Sequence, residues 1–327
     1  MPRINLIVYD NRAGLSRDAV LLRRALLAAG CQVDTTLVRG DRRGRGGLDL
    51  RTRIPRALSR LSGKRRRYDI NIMIERIRPL FAADARVNLL LANPDWFKDS
   101  DERHLATIDA VLAKTRHAAA IFEALGKPVR FTGFTSEDRR DPAVPREKTF
   151  FHLAGRSPYK GTRTIVETWL RHPQWPRLTI VQHARQVHEP VHAANIVHRL
   201  EYLDDAQLRR LQNAHGFHLC PSETEGFGHY LVEAMSVGAF VITTDAPPMN
   251  ELVSVERGLL VPWREQHNER LATLYRVDSA DLELAVERTL RMTSAEQHDI
   301  GARARAWFEA NDRNFTQRVA QAIAEFA

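Results

Sequence analysis

Residues 220–245, CPSETEGFGHYLVEAMSVGAFVITTD, read as one mechanical unit: the end of a buried strand, a glycine-rich loop, a helix and a second strand. The apolar run Gly216–Cys220 is closed by Pro221, which has no N–H to donate to a ladder, so the chain leaves a sheet there. Glu225-Gly226-Phe227-Gly228 then opens a helix whose apolar positions Tyr230, Leu231, Met235 and Val237 precede a stop at Gly238. Two glycines at a helix entrance let backbone approach a ligand closely. The N–H groups there, with the positive end of the helix dipole, suit a phosphate. Glu225 lies in the loop and Glu233 about one turn or more into the helix, which suits one carboxylate to sugar hydroxyls and the other to a ribose.

The stretch resembles the Pro-Ser-x-x-Glu-Gly-Phe-Gly and Glu-x7-Glu signature of retaining glycosyltransferases of group 1, similar to family 4. Pro221 and Ser222 stand before it, and Glu251 follows Pro247-Pro248. Without the resemblance, the same residues are a strand-loop-helix of any doubly wound protein, with Gly226 and Gly228 shaping a turn. A second loop, Gly155-Arg156-Ser157-Pro158-Tyr159-Lys160-Gly161, looks like the Gly-Arg-x-x-x-Lys-Gly loop of the same family. The resemblance implies an α/β fold of GT-B type, two Rossmann-like doubly wound domains facing a central cleft. It also implies a hexosyltransferase-like enzyme that retains anomeric configuration, as used in polysaccharide, lipopolysaccharide or capsule biosynthesis. Arg156 and Lys160 would neutralise the departing diphosphate, and Glu225 would complete the catalytic set. The donor would rest on Arg156, Lys160, Glu225, Gly226, Phe227, Gly228, Leu231 and Glu233, with Gly14 as the phosphate contact of the first domain. The donor is a UDP- or GDP-linked sugar used as co-substrate, with no resident cofactor. Front-face substitution is implied, without a covalent glycosyl-enzyme.

Around this stretch the chain alternates strand and helix, the pattern of parallel sheets. The expected strands of the first half are Ile4–Tyr9, Gln32–Val38, Tyr68–Ile74, Val87–Leu91, Asp109–Leu112 and Val129–Phe131, with helices over Leu15–Ala29 and His117–Leu125. The polar, proline-marked run Asp141–Arg146 divides a first domain, residues 1–145, from a second, 146–327. The second continues through helices at Ala280–Leu290 and Ala295–Ala310. A terminal helix, Ala320–Phe326, is implied by the resemblance to cross back onto the first domain. Ligands of open α/β sheets bind beyond the carboxyl ends of the strands, which singles out Asp10–Gly14, Glu75-Arg76 and Asn93–Asp95. The family's acceptor-side histidine has no match here, so Glu75, Asn93 and Asp95 are chosen by position alone.

The 327 residues carry a net charge of +9, and residues 1–150 hold +12 of it against −3 for the rest. The excess concentrates in a basic insertion, residues 39–68, with Arg42, Arg43, Arg45, Arg51, Arg53, Arg56, Arg60, Lys64, Arg65, Arg66 and Arg67. A segment this basic is either a solvated loop or the contact for an anionic glycan, a lipid-linked acceptor or an anionic membrane surface. Nucleic acid ranks last, since within the segment no aromatic residue precedes Tyr68 to stack a base. No long apolar run or secretory leader is visible, which points to the cytoplasm, with peripheral attachment to the inner membrane face as an option. Cys31 and Cys220 read as reduced structural thiols.

Three other patterns are set aside. Asp99-Ser100-Asp101 has the Asp-x-Asp form of metal-dependent GT-A enzymes, yet Asp99 with Glu102 reads as a helix cap and its reciprocal partner. Gly44-Arg45-Gly46-Gly47 lacks the end of a phosphate loop. His188-Glu189-Pro190-Val191-His192 has zinc-protease spacing, but Pro190 forbids the helix that would align the imidazoles. No metal site is expected. The competing readings are a GT-A-like transferase using Asp99 and Asp101, and a non-catalytic protein of the same fold that binds anionic membranes or nucleic acid.

Overall fold

A computed structural model describes residues 1–9, 14–38, 66–187 and 189–327. Of the basic insertion, only Arg66, Arg67 and Tyr68 belong to these, so the expectations for Arg42–Arg65 and for the loop before Gly14 lie outside the described residues. Two compact units form, one of Met1–Phe134 with Arg313–Ala327 and one of Thr135–Asp312. The proline-marked run 141–146 falls within the second.

The first unit is a six-stranded parallel sheet in the order β2-β1-β3-β4-β5-β6. Its strands are β1 Arg3–Tyr9, β2 Gln32–Val38, β3 Tyr68–Ile74, β4 Ala85–Leu91, β5 Ala110–Ala113 and β6 Val129–Phe131. β1 and β3 are buried along almost their whole length, as inner strands covered on both faces must be, whereas the edge strand β2 is largely exposed. A polar ladder crosses this apolar sheet. Thr36 donates to Asn5 at 2.7 Å, Asn5 to Asn71 at 3.1 Å and Asn71 to Asn88 at 2.8 Å. A one-residue slip would leave these amides buried and unpaired, so the ladder fixes strand register. Helix α1, Gly14–Ala28, lays Leu21, Leu22, Ala25 and Leu26 into the core, and α2, Arg116–Ala124, is capped by Thr115 at 3.0 Å. Phe315, Val319 and Ile323 from the far end of the chain are buried in the same unit, Phe315 edge-on to Phe134 with ring centres 4.9 Å apart.

The second unit is also a six-stranded parallel sheet, in the order β12-β11-β10-β7-β8-β9. The strands are β7 Glu147–Gly155, β8 Leu178–Gln182, β9 Ile196–Arg199, β10 His215–Cys220, β11 Phe240–Thr244 and β12 Leu259–Val261. The helices are α3 Thr162–Arg171, α4 Asp205–Ala214, α5 His229–Ser236 and α6 Ser279–Arg291. Phe150 anchors the core, 4.9 Å from Trp169 and 4.8 Å from Phe217 between ring centres. The unit's first strand, β7, has β8 on one side and β10 on the other, so the order of winding reverses between β7 and β10. That is the place where a doubly wound sheet opens a crevice at its carboxyl edge.

Two features differ from the sequence reading. Residues 294–324 form one 31-residue helix, α7, where two separate helices are expected. Asn311, Asp312 and Asn314 weaken the helical signal, but Phe308, Phe315 and Val319 keep a buried stripe running through it. An antiparallel hairpin, β13 Glu265–Glu269 with β14 Ala272–Arg276, has no counterpart in the expected elements.

Candidate active site

The carboxyl ends of β7 and β10 bring together the two loops singled out from sequence. After β7 the chain turns at Gly155, φ 56°, and reaches Gly161, φ 66°, which opens α3. A Cβ on Gly161 would lie 2.4 Å from the Pro221 carbonyl oxygen, so only glycine lets the loop after β7 pass this close to the loop after β10. The Glu223 N–H donates to the Tyr159 carbonyl at 2.9 Å and joins the loops again. Across this junction Lys160 Nζ forms an ion pair with Glu225 Oε1 and stands 3.8 Å from the ring centre of Tyr230. Ser222 Oγ hydrogen-bonds both Glu225 and the Tyr230 hydroxyl. Arg156 is exposed and has no hydrogen bond or ion pair with any described residue.

The bed beneath these groups is rigid. His152 is fully buried, with Nδ1 2.8 Å from the Leu219 carbonyl and Nε2 2.9 Å from Thr162 Oγ1, so it ties β7, β10 and the start of α3 together. Burial pushes its pKa down to about 4, so it is neutral. Thr243 and Thr244 of β11 donate to the Cys220 and Ser222 carbonyls, both at 2.7 Å. Burial raises the Cys220 thiol and the Tyr230 hydroxyl well above their ordinary values; Cys220 and Cys31 are both free and buried. Tyr159 donates to Glu269 of the hairpin at 2.9 Å, and the Tyr275 N–H to the Glu223 carbonyl at 2.7 Å, so the hairpin braces both loops.

The remaining candidates of this unit lie in or just before α5. Gly228, φ 104°, is its N-cap with no side chain capping it, and a Cβ there would meet Leu231 Cδ1 at 2.9 Å. Gly226, Phe227 and Leu231 are buried, and the Leu231 N–H is bonded to the Gly228 carbonyl at 3.0 Å, so Phe227 and Leu231 shape the loop from below. Glu233 is 2% exposed and accepts from Gln212 at 2.8 Å; Gln212 in turn accepts from Arg139 at 3.0 Å.

In the first unit, Gly14 begins α1. Glu75 follows β3 with φ 68°, a strained left-handed conformation for a glutamate, and is 4% exposed. It accepts from Asn93 Nδ2 at 2.9 Å, which joins two of the positional candidates beyond β3 and β4. Burial pushes the Glu75 carboxyl up to about 8; Lys114 opposes this, while Asp95 and Asp18 add to it. Lys114 and Asp18 form a buried ion pair at 2.5 Å.

Part of the chain is matched by a known family, and the fold by solved structures. Residues 147–276 match the model of the family described as Glycosyl transferases group 1. The fold is GT-B. Sucrose-phosphate synthase from Thermosynechococcus elongatus superimposes with a TM-score of 0.72 at 16% identity, covering 99% of each chain. Anabaena HepE in complex with UDP-glucose gives 0.70 at 13%, covering 99% of this chain and 100% of the other, and a glycosyltransferase from Rickettsia africae gives 0.71 at 13%, covering 99% and 98%. Comparison with curated sequences returns no match.

Within this GT-B fold, the patterns set aside from sequence have local explanations. The helical turn at 99–102 is capped one residue away from the expected place. Lys98 is the N-cap, and Asp101, not Glu102, folds back on the Lys98 N–H at 3.3 Å. Asp101 also accepts from the Ile77 N–H at 3.0 Å and pairs with Arg76 at 3.0 Å, so its carboxylate is fully occupied. His188 lies outside the described residues, and Glu189–His192 are not helical. Among the described residues no cluster of three or more His, Cys, Asp and Glu side chains could hold a metal ion, and no helix is long and apolar enough to cross a membrane. Tyr230, Ser222, His152 and the hairpin escaped the sequence reading as site components. Ser222 carried a signal as the serine of the quoted signature and Tyr230 as an aromatic hydroxyl two residues beyond the second loop glycine, whereas His152 and the hairpin carried none.

Proposed function

We propose that this protein is a retaining, metal-independent glycosyltransferase that moves a sugar from a UDP-linked donor to an anionic glycan or lipid-linked acceptor. The observation that carries the reading is the meeting of Lys160 and Glu225, 65 residues apart, at the winding reversal between β7 and β10. A fixed cation and a carboxylate at the mouth of a sheet, beside an exposed and unbonded Arg156, suit a substrate that joins a diphosphate to a sugar. Arg156 and Lys160 neutralise the diphosphate as the bond from the anomeric carbon to its phosphate oxygen breaks. The acceptor oxygen bonds to that carbon from the same face, and its proton passes to the departing phosphate oxygen. Glu225 takes sugar hydroxyls, the backbone at Gly226–Gly228 closes on the donor, and Glu233 exchanges Gln212 for a ribose hydroxyl. UDP is the nucleotide we favour because HepE, of the same fold, is described in complex with UDP-glucose. The positive charge of residues 1–150 favours a negatively charged acceptor, at the inner face of a membrane where that acceptor is lipid-linked.

The test is a melting series against UDP- and GDP-linked sugars in excess chelator. A binding donor raises stability by about 2.7 kcal/mol at a hundred times its Kd. The expected result is a concentration-dependent rise with a UDP-sugar that Arg156→Ala and Lys160→Ala abolish. Absence of a shift with every nucleotide sugar overturns the proposal, and a shift only when divalent metal is present overturns metal independence.

A further inference from the structure

A second cationic site lies in the first unit, in a cavity of about 270 Å³ at the carboxyl ends of β2 and β3. Val38, Leu80 and Phe81 give it an apolar wall, and Arg76, Arg78 and His104 face it from the polar side. The two arginines differ in their circumstances. Arg76 is satisfied, donating to Ser100 Oγ at 3.1 Å and pairing with Asp101 at 3.0 Å. Asp101 is itself consumed by Arg76 and the N–H groups of Ile77 and Lys98. Arg78 is half-buried, yet its guanidinium has no hydrogen bond or ion pair with any described residue. Burial first, and then the neighbouring Arg76 charge, act against its charged form, outweighing the opposing pull of Asp101 and Tyr9. A guanidinium withdrawn from water beside a second cation, with only the shared Asp101 carboxylate acting on it among the described residues, is costly unless an anion completes it.

We infer that this cavity binds a phosphoryl or carboxylate group carried on a small organic body, held by the planar fork of Arg78. Arginine offers two parallel N–H donors to two oxygens of such a group, His104 supplies a further polar contact, and the apolar wall takes the attached carbons. The sum of Arg76, Arg78 and Asp101 leaves one positive charge for the ligand. The inference is independent of sugar transfer, since it concerns binding to the first unit alone.

Calorimetric titration of the full chain with inorganic phosphate and with glycerol 1-phosphate tests it. Arg78→Met should weaken binding about tenfold or more with the melting temperature retained, the expected loss for a charge-assisted contact. Arg78→Gln, which keeps a polar head, should show the same loss and serves if the Met variant folds poorly. An Arg156→Ala/Lys160→Ala double variant should bind glycerol 1-phosphate as the wild type does. Co-sedimentation with phosphatidylglycerol vesicles separates the sources: Arg78-dependent pelleting assigns the phosphoryl group to a lipid headgroup, and Arg78-independent pelleting assigns it to a soluble ester. Wild-type affinity in both Arg78 variants, or loss of all binding in the double variant, overturns the inference.

Discussion

Lys160 and Arg156 occupy opposite settings in one loop, and their substitutions should differ accordingly. Arg156 is exposed and unbonded, so Arg156→Ala should leave the melting temperature unchanged. Lys160 neutralises a largely buried Glu225, so Lys160→Ala strands that carboxylate and should lower the melting temperature. Both should reduce initial transfer rates about a hundred- to thousandfold, the usual effect of removing one donor to a developing oxyanion, and added Mg²⁺ should not restore them. Arg156→Lys should also be impaired, because an ammonium lacks the two-donor fork. Near-normal turnover by either alanine variant would remove the clamp. Gly161 allows a sharper steric test. Gly161→Ala adds a Cβ 2.4 Å from a carbonyl oxygen at a left-handed position, whereas Gly30→Ala, φ 78°, meets nothing within 4 Å. Gly30→Ala should lose only the backbone cost, about 1–2 kcal/mol, and Gly161→Ala clearly more, together with donor-induced stabilisation. Equal denaturation midpoints for the two variants would contradict the close passage of the loops.

Among the elements, those with strong local signals were legible and those made by tertiary contact were not. Tyr68–Ile74 and Gln32–Val38 agree with the sequence reading to the residue, because each is a β-rich run with clear bounds. Cys220–Asp245 likewise unfolds into strand, loop, helix and strand as read, since Pro221, Gly228 and Gly238 punctuate it. The hairpin was invisible because Glu265–Glu269 is polar and exposed throughout, with neither alternation nor β-branched residues. Its use is to brace Tyr159 and Glu223, which no local pattern announces. The pairing of Lys160 with Glu225 was unreadable for the same reason: each residue could be chosen by its loop, but their contact depends on the order of strands. The long helix α7 reads as two pieces in sequence because Asn311, Asp312 and Asn314 weaken the helical signal in its middle. Phe315→Ala should show how much its last third matters, costing about 3–5 kcal/mol in urea denaturation as a buried phenylalanine does. A loss below 1 kcal/mol would mean that residues 313–327 lie on the first unit without completing its core.

Across the whole molecule, buried titratable groups set the response to pH. His152 and His218 are fully buried with pKa values pushed down to about 4 and about 3. The unfolded chain takes up protons at these positions below about 6.5 and the folded one does not, so each histidine costs about 1.4 kcal/mol per pH unit as pH falls from 6.5 towards 4. Glu75 acts in the opposite sense. Folded, it holds its proton up to about 8, while the unfolded glutamate releases it near 4.5, so its contribution is full below 4.5 and declines as pH rises to 8. Two histidines outweigh one glutamate in the overlap, which puts maximum stability near pH 6.5. Denaturation at pH 5, 6.5 and 8 should show losses on both sides, and Glu75→Gln should flatten the alkaline side. An unaltered alkaline slope in Glu75→Gln would show that the carboxyl is ionised in the folded protein.

The division of the chain between its units also bears on how the molecule is made. Thr135–Asp312 is one unbroken segment, whereas the other unit opens at Met1 and closes only with Arg313–Ala327. On the ribosome the middle of the protein has everything it needs while the beginning still lacks Phe315, Val319 and Ile323. The usual order of domain folding during synthesis, amino-terminal first, is therefore reversed. The segment translated first matures last, and until residues 313–327 have been made its apolar surface is open to chaperones.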